Sequence, residues 1–156
     1  MAGPRRRSRE IALQILHQMD VSPELDADTA LGRYFEHLAT HRGVAQDDDD
    51  EEERLPAPRV DRKLVEDLVR GVSEHRAEID DTLGRLSRNW RIERMAVVDR
   101  NIIRIALYEL KHCESVPVSV AINEAVELAK RFGAVEGSAF VNGLLDRAVT
   151  ELNVRR

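Results

Sequence analysis

The stretch from Val98 to Leu110, VDRNIIRIALYEL, decides how the rest of the chain is read. Val98, Ile102, Ile105, Ala106 and Leu110 recur at helical spacing on one face, and Ile103 and Leu107 sit on another. A helix that is apolar on more than one side has to be enclosed by other elements, which is the position of the central helix in a bundle. The flanking segments carry narrower apolar stripes of the same period. Before it come Leu64, Val65, Leu68, Val69 and Val72, followed by Ile79, Leu83 and Leu86, a pattern that continues past Gly71 as a separate helix and closes at Trp90. After it come Val118, Ile122, Ala125, Val126 and Ala129, then Phe140, Val141, Leu144, Leu145, Ala148 and Leu152.

Local signals punctuate these stripes. Asp61 precedes the first of them, where its carboxylate can accept a free first-turn N–H. Pro117 suits an opening turn, in which its missing N–H costs least. Gly133 is placed to end the helix before it. Toward the start of the chain a helix over roughly residues 5–19 uses Ile11, Ala12, Ile15, Leu16 and Met19, with a break near Pro23. A weaker stripe follows at Leu31, Tyr34, Phe35 and Leu38. No set of strands, internal repeat, heptad array or zinc-finger spacing emerges. The expectation is an all-α protein of about seven helices in two small helical subdomains, together forming one compact domain over residues 1–156.

Periodicity is lost over residues 41–58, which hold Gly43, Pro56, Pro58 and the run DDDDEEE at 47–53. Seven adjacent acids repel one another and resist burial, so an acidic disordered loop is expected there. The run also sets the charge balance. The chain's 29 acidic residues less these seven leave 22 against 24 basic ones, so the formal charge of -5 does not exclude a nucleic-acid partner. Aromatic residues make up only 4%, too few for an RNA-binding sheet paved with stacking rings. Cys113 is the single cysteine and cannot form an intrachain disulfide. No segment reaches the length of a membrane span, and Glu10, Gln14, His17 and Gln18 interrupt any signal-peptide core. A cytoplasmic location is expected.

Arg5, Arg6, Arg7 and Arg9 crowd into RRRSR at the head of the first helix. Guanidinium groups stay charged and present forked donors that suit phosphate oxygens. Cations at a helix N-terminus oppose its dipole, which favours a phosphate-facing role over plain solvation. Lys130 and Arg131 form a smaller basic pair, although cations at a helix C-terminus already offset its dipole. Other candidates carry less. His17, His37, His41, His75 and His112 show no close paired metal spacing, and Cys113 diverges from its neighbour His112. The acidic pairs read as polar helix faces. No phosphate loop follows a strand, and no elbow surrounds Ser8, Ser119 or Ser138. Asn123 and Asn142, polar in apolar helical contexts, read as packing or capping residues. No catalytic residue, metal or cofactor is expected.

The opening RRRSREIALQILHQMD, the central VDRNIIRIALYEL, and VPVSVAINEAVELAKRFG followed by FVNGLLD resemble, in that order, the bacterial transcription antitermination factor NusB family. The resemblance spans nearly the whole chain outside residues 41–60. It implies a non-enzymatic, all-helical protein that pairs with the small-subunit ribosomal protein acting as NusE. Together such proteins bind boxA-type single-stranded leader RNA and join an antitermination complex on RNA polymerase, supporting ribosomal RNA transcription. It implies that Arg5, Arg6, Arg7 and Arg9 meet RNA, with further contact around Ala134 to Ser138, beside Lys130 and Arg131 and including Glu136. For the protein partner it implies Asp99, Arg104 and Phe140. Members occur as monomers or homodimers. A related helical module can precede an RNA methyltransferase domain, but no cofactor-binding α/β unit is present in these residues.

Overall fold

The computed structural model describes residues 3–44, 60–87 and 95–154, with backbone alone over 39–44. The acid run and Trp90 lie outside the described residues. Seven helices are present among those described, with no strand: α1 (Pro4–Val21), α2 (Ala27–Val44), α3 (Arg62–Glu74), α4 (Arg76–Leu86), α5 (Val97–His112), α6 (Val118–Phe132) and α7 (Gly137–Glu151). They fall into two compact units, Met1–Val69 and Arg70–Arg156, with the boundary inside α3.

In the first unit α1 packs on α2. The expected stripe of α1 is buried at Ile11, Ala12, Ile15 and Leu16, and Leu13 joins it. The turn past Pro23 ends at Asp26, whose Oδ1 accepts the Thr29 N–H at 2.7 Å and so caps α2. That bond holds the Asp26 carboxyl below its ordinary pKa. Asp61 caps α3 as expected, accepting the Leu64 N–H at 3.1 Å. Ser8 then ties the two ends together. Its buried hydroxyl donates to the Pro4 carbonyl at 2.7 Å and accepts the Asp61 N–H at 2.8 Å. The serine inside RRRSR is therefore a structural residue.

The second unit is organised by α5, which packs against α4, α6 and α7. Ile102, Ile103, Ile105, Leu107 and Leu110 are all buried, so both apolar faces read from the sequence are used. Each such side chain contributes about 1.5–3 kcal/mol relative to exposure. Helix α4 presents Ile79, Leu83 and Leu86, and α7 presents Val141, Leu144, Leu145 and Ala148 to the same core.

Two boundaries and two side chains differ from expectation. Helix α2 runs to Val44, through Gly43 and past the point where a loop was expected at residue 41. Losing an apolar stripe removes the sign of a buried face without removing helix propensity, and one interior glycine costs only about 1 kcal/mol. The break between α3 and α4 comes at His75, while Gly71 lies inside α3, where its missing side chain makes room for the Tyr108 ring. Asn123 and Asn142 are exposed, so neither has the packing role expected of it.

Candidate functional site

The turn between α6 and α7 builds a cleft. Helix α6 ends at Gly133, whose N–H bonds the Ala129 carbonyl at 2.9 Å. Gly133 is extended (φ -81°, ψ 179°), so the left-handed geometry that usually selects glycine at a helix end is absent. Space selects it here, because a Cβ would collide with Asp99 Oδ1. Gly137, the first residue of α7, is constrained in the same way, since its Cβ would come within 2.9 Å of that oxygen. Between the glycines Glu136 adopts the left-handed conformation (φ 69°), an uncommon state for a residue with a side chain. The turn thus wraps closely around the carboxylate of Asp99, in the first turn of α5.

Met95, Ala96, Asp99, Ala134, Val135, Glu136, Gly137 and Phe140 line a cleft of about 480 Å³. Asp99 is only 6% exposed. Its Oδ2 accepts the Ala134 N–H at a long 3.4 Å, and its Oδ1 is buried with no hydrogen-bond partner among the described residues. Burial pushes the Asp99 carboxyl above its ordinary pKa, with the Ala134 N–H as a partial counterweight. A buried acceptor with open capacity on an apolar wall favours a ligand that brings an N–H donor or a cation. Val135, 96% exposed, and the partly exposed Phe132 extend the apolar surface around the turn.

Asp99 is thereby brought to one cleft with Glu136 and Phe140, which lie in a distant segment of the sequence. Arg104 is not with them. It is 3% exposed and reaches α4, donating from Nε and Nη2 to Asp80 at 2.7 and 2.9 Å and from Nη1 to Asn101 at 2.9 Å. A guanidinium enclosed in this way holds two helices together and lies apart from the cleft. Lys130 and Arg131 are exposed on the last turn of α6 and do not line the cleft. Lys130 lies 3.6 Å from Glu127, and the Arg131 guanidinium sits 5.1 Å over the Phe132 ring.

The arginine cluster is also divided by the fold. Helix α1 begins at Pro4, so all four arginines are helical and differ in depth. Arg5 is exposed, and Arg6 and Arg7 are half-buried. Arg7 pairs with the buried Glu10 at 2.9 Å. Arg9, one turn further in, is 3% exposed, so the surface contact expected of it is not available in this fold. The helix start offers Arg5, with parts of Arg6 and Arg7, beside the positive end of the α1 dipole.

One cluster escaped the sequence reading altogether. The rings of His75, at the α3–α4 junction, and His112, at the end of α5, stack with centroids 4.0 Å apart. Glu78 stands beside both, at 3.5 Å from a nitrogen of each. The sequence shows no close metal spacing here, because only the fold brings His75 and His112 together.

An all-helical chain with an arginine-led helix start and an apolar cleft around a buried acid has the construction of a helical binding module. The NusB family model matches residues 6–150. The chain belongs to the NusB family of transcription antitermination proteins. It is 43% identical to the transcription antitermination protein NusB of Anaeromyxobacter sp. (strain Fw109-5), over 100% of this chain and 96% of that one. It is 46% identical to the NusB of Symbiobacterium thermophilum, over 93% and 88% of the two chains. The solved structure of T. maritima NusB superposes with a TM-score of 0.71 at 32% identity, covering 97% of this chain and 94% of that one. No helix among the described residues is long and apolar enough to cross a membrane.

Proposed function

We propose that this protein binds boxA-type single-stranded RNA jointly with the small-subunit ribosomal protein that acts as NusE, in the cytoplasm, as part of an antitermination complex on RNA polymerase. The observation that carries the reading is the cleft, in which Asp99 and Phe140, the residues implied for the protein partner, share a surface with Glu136 and the turn implied for RNA. Phe140 and the apolar wall supply area for docking, and the open Oδ1 of Asp99 supplies a point for a donor. Arg5, Arg6 and Arg7 at the start of α1 hold phosphates through charge, and Lys130 and Arg131 add charge close in sequence to the turn. Arginines on phosphates fix position without reading bases, so base selection falls to the turn and the partner protein. Joining two modest contacts on one RNA raises affinity without a further contact. No step in this action makes or breaks a covalent bond.

The test compares boxA-type RNA with a scrambled RNA of equal length, each with and without the ribosomal-protein partner. The partner should tighten boxA binding selectively, and Phe140→Ala should weaken recruitment of the partner. Arg6→Glu with Arg7→Glu should weaken RNA binding and lower its salt dependence, because fewer counterions are released. Equal weak binding of both RNAs, unchanged by the partner, refutes the reading.

A further inference from the structure

We propose that His75, Glu78 and His112 form a binding site for a divalent transition-metal ion of the zinc class. The three residues come from the α3–α4 elbow and the end of α5, within one compact unit. One ligand atom from each can be chosen so that all lie within 4.8 Å of one another. In a tetrahedral zinc site with bonds of ~2.0–2.1 Å, ligand atoms stand roughly 3.3 Å apart. His75 Nδ1 to Glu78 Oε2 and His112 Nε2 to Glu78 Oε1 are each already 3.5 Å. Closure requires the imidazole rings, now stacked at an interplanar angle of 20°, to rotate so that a nitrogen of each faces the carboxylate.

The backbones beneath these ligands are fixed. The His75 N–H donates to the Gly71 carbonyl at 3.0 Å, and its own carbonyl accepts the Ile79 N–H at 2.8 Å. The Tyr108 ring lies 6.0 Å from the His75 ring and 5.6 Å from the His112 ring, seated over Gly71. Glu78 is held ionised by Lys111, whose ammonium donates to Oε1 at 2.7 Å, a bond that places its carboxyl below the ordinary pKa. Lys111 thus occupies one oxygen and orients the other toward His75, the part an outer partner plays for a metal-ligating carboxylate. Two imidazole nitrogens and one carboxylate suit zinc, nickel or copper and do not suit magnesium or calcium, which favour all-oxygen sets. The ligands are each 30–45% exposed, so a fourth position stays open to water.

The full chain without an affinity tag, freed of metal with a chelator, is titrated with zinc chloride in a calorimeter and with cobalt(II) chloride in a spectrophotometer. One ion per chain is expected, with the visible bands of four-coordinate cobalt. His75→Gln, Glu78→Gln and His112→Gln should each lower zinc affinity about tenfold or more. A variant carrying His17→Gln and His37→Gln, both exposed elsewhere, should bind as the parent does. In the unaltered chain, imidazole nitrogen resonances of His75 and His112 should shift on zinc addition, a readout independent of whether any variant folds. Absence of binding, binding undiminished in folded His112→Gln, or shifts confined to other histidines overturns the proposal and leaves the cluster as an ion-pair network around Glu78.

Discussion

Removing Asp80 tests the role that the fold gives Arg104. The Arg104 guanidinium is 3% exposed and donates to both carboxylate oxygens of Asp80, at 2.7 and 2.9 Å. Asp80→Ala would remove the two-pronged carboxylate from that buried cation, while the Asn101 amide oxygen goes on accepting from Nη1. Breaking a buried pair from one side costs about 3–5 kcal/mol, because the remaining charge is uncompensated. Asp80 itself is 28% exposed, so water can enter the vacated space and the lower end, about 3 kcal/mol, is expected. The opposite change, Arg104→Met, keeps most of the buried stem and leaves a carboxylate that water already reaches and that still lies 3.7 Å from Arg76 Nε. It should cost about 1–2 kcal/mol, near the value of a charged hydrogen bond. The two together should cost less than Asp80→Ala alone. Urea unfolding followed by circular dichroism measures all three, and thermal melts should show Asp80→Ala lowered by about 6–12 °C for a chain of this size. Folded Arg104→Met should still recruit the protein partner. An Asp80→Ala cost below about 1 kcal/mol, or a larger cost for Arg104→Met, would refute the assignment of Arg104 as a buried tie between α4 and α5.

Three further outcomes follow from local geometry. Burial raises the Asp99 pKa above 3.8, so the folded chain holds this proton more tightly than the unfolded chain, and the carboxyl's contribution to stability falls as pH rises from that value. Asp99→Asn should therefore gain stability relative to the parent between pH 4 and pH 7 in urea titrations, and a difference independent of pH would count against it. Glu136→Gly relieves the left-handed backbone at φ 69° and should raise stability by about 1 kcal/mol in the same assay. Asp61→Ala removes the cap on the Leu64 N–H and should cost about 1 kcal/mol by thermal melting.

Much of the fold was legible because helices are local. The periods of α1, α3, α5, α6 and α7, the Asp61 cap, and the stops at Pro23 and Gly133 each depend on residues within a few positions of one another. The length of α2 was not legible, because a helix without an apolar stripe leaves no pattern to follow. The site was legible in part. Asp99, Glu136 and Phe140 were picked out through the family resemblance, yet nothing in their spacing placed them around one cleft. Asn123 and Asn142 were misjudged because an apolar context along the chain does not put a residue on the buried face.

The sequence by itself determined which residues share a helix face, where several of the helices are capped or stopped, and that positive charge collects at the head of α1. Only the tertiary structure decided which of those charges stay outside. Arg5 and Arg9 belong to one short cluster, but a single helical turn separates an exposed guanidinium from a buried one. Likewise only packing brought Arg104 to Asp80, Asp99 into the embrace of Gly133 and Gly137, and His75 against His112. The physical reason is the range of the forces involved. Backbone propensity and capping act over a few residues, whereas the burial of a charge depends on partners supplied by distant segments, which the period of one helix does not record.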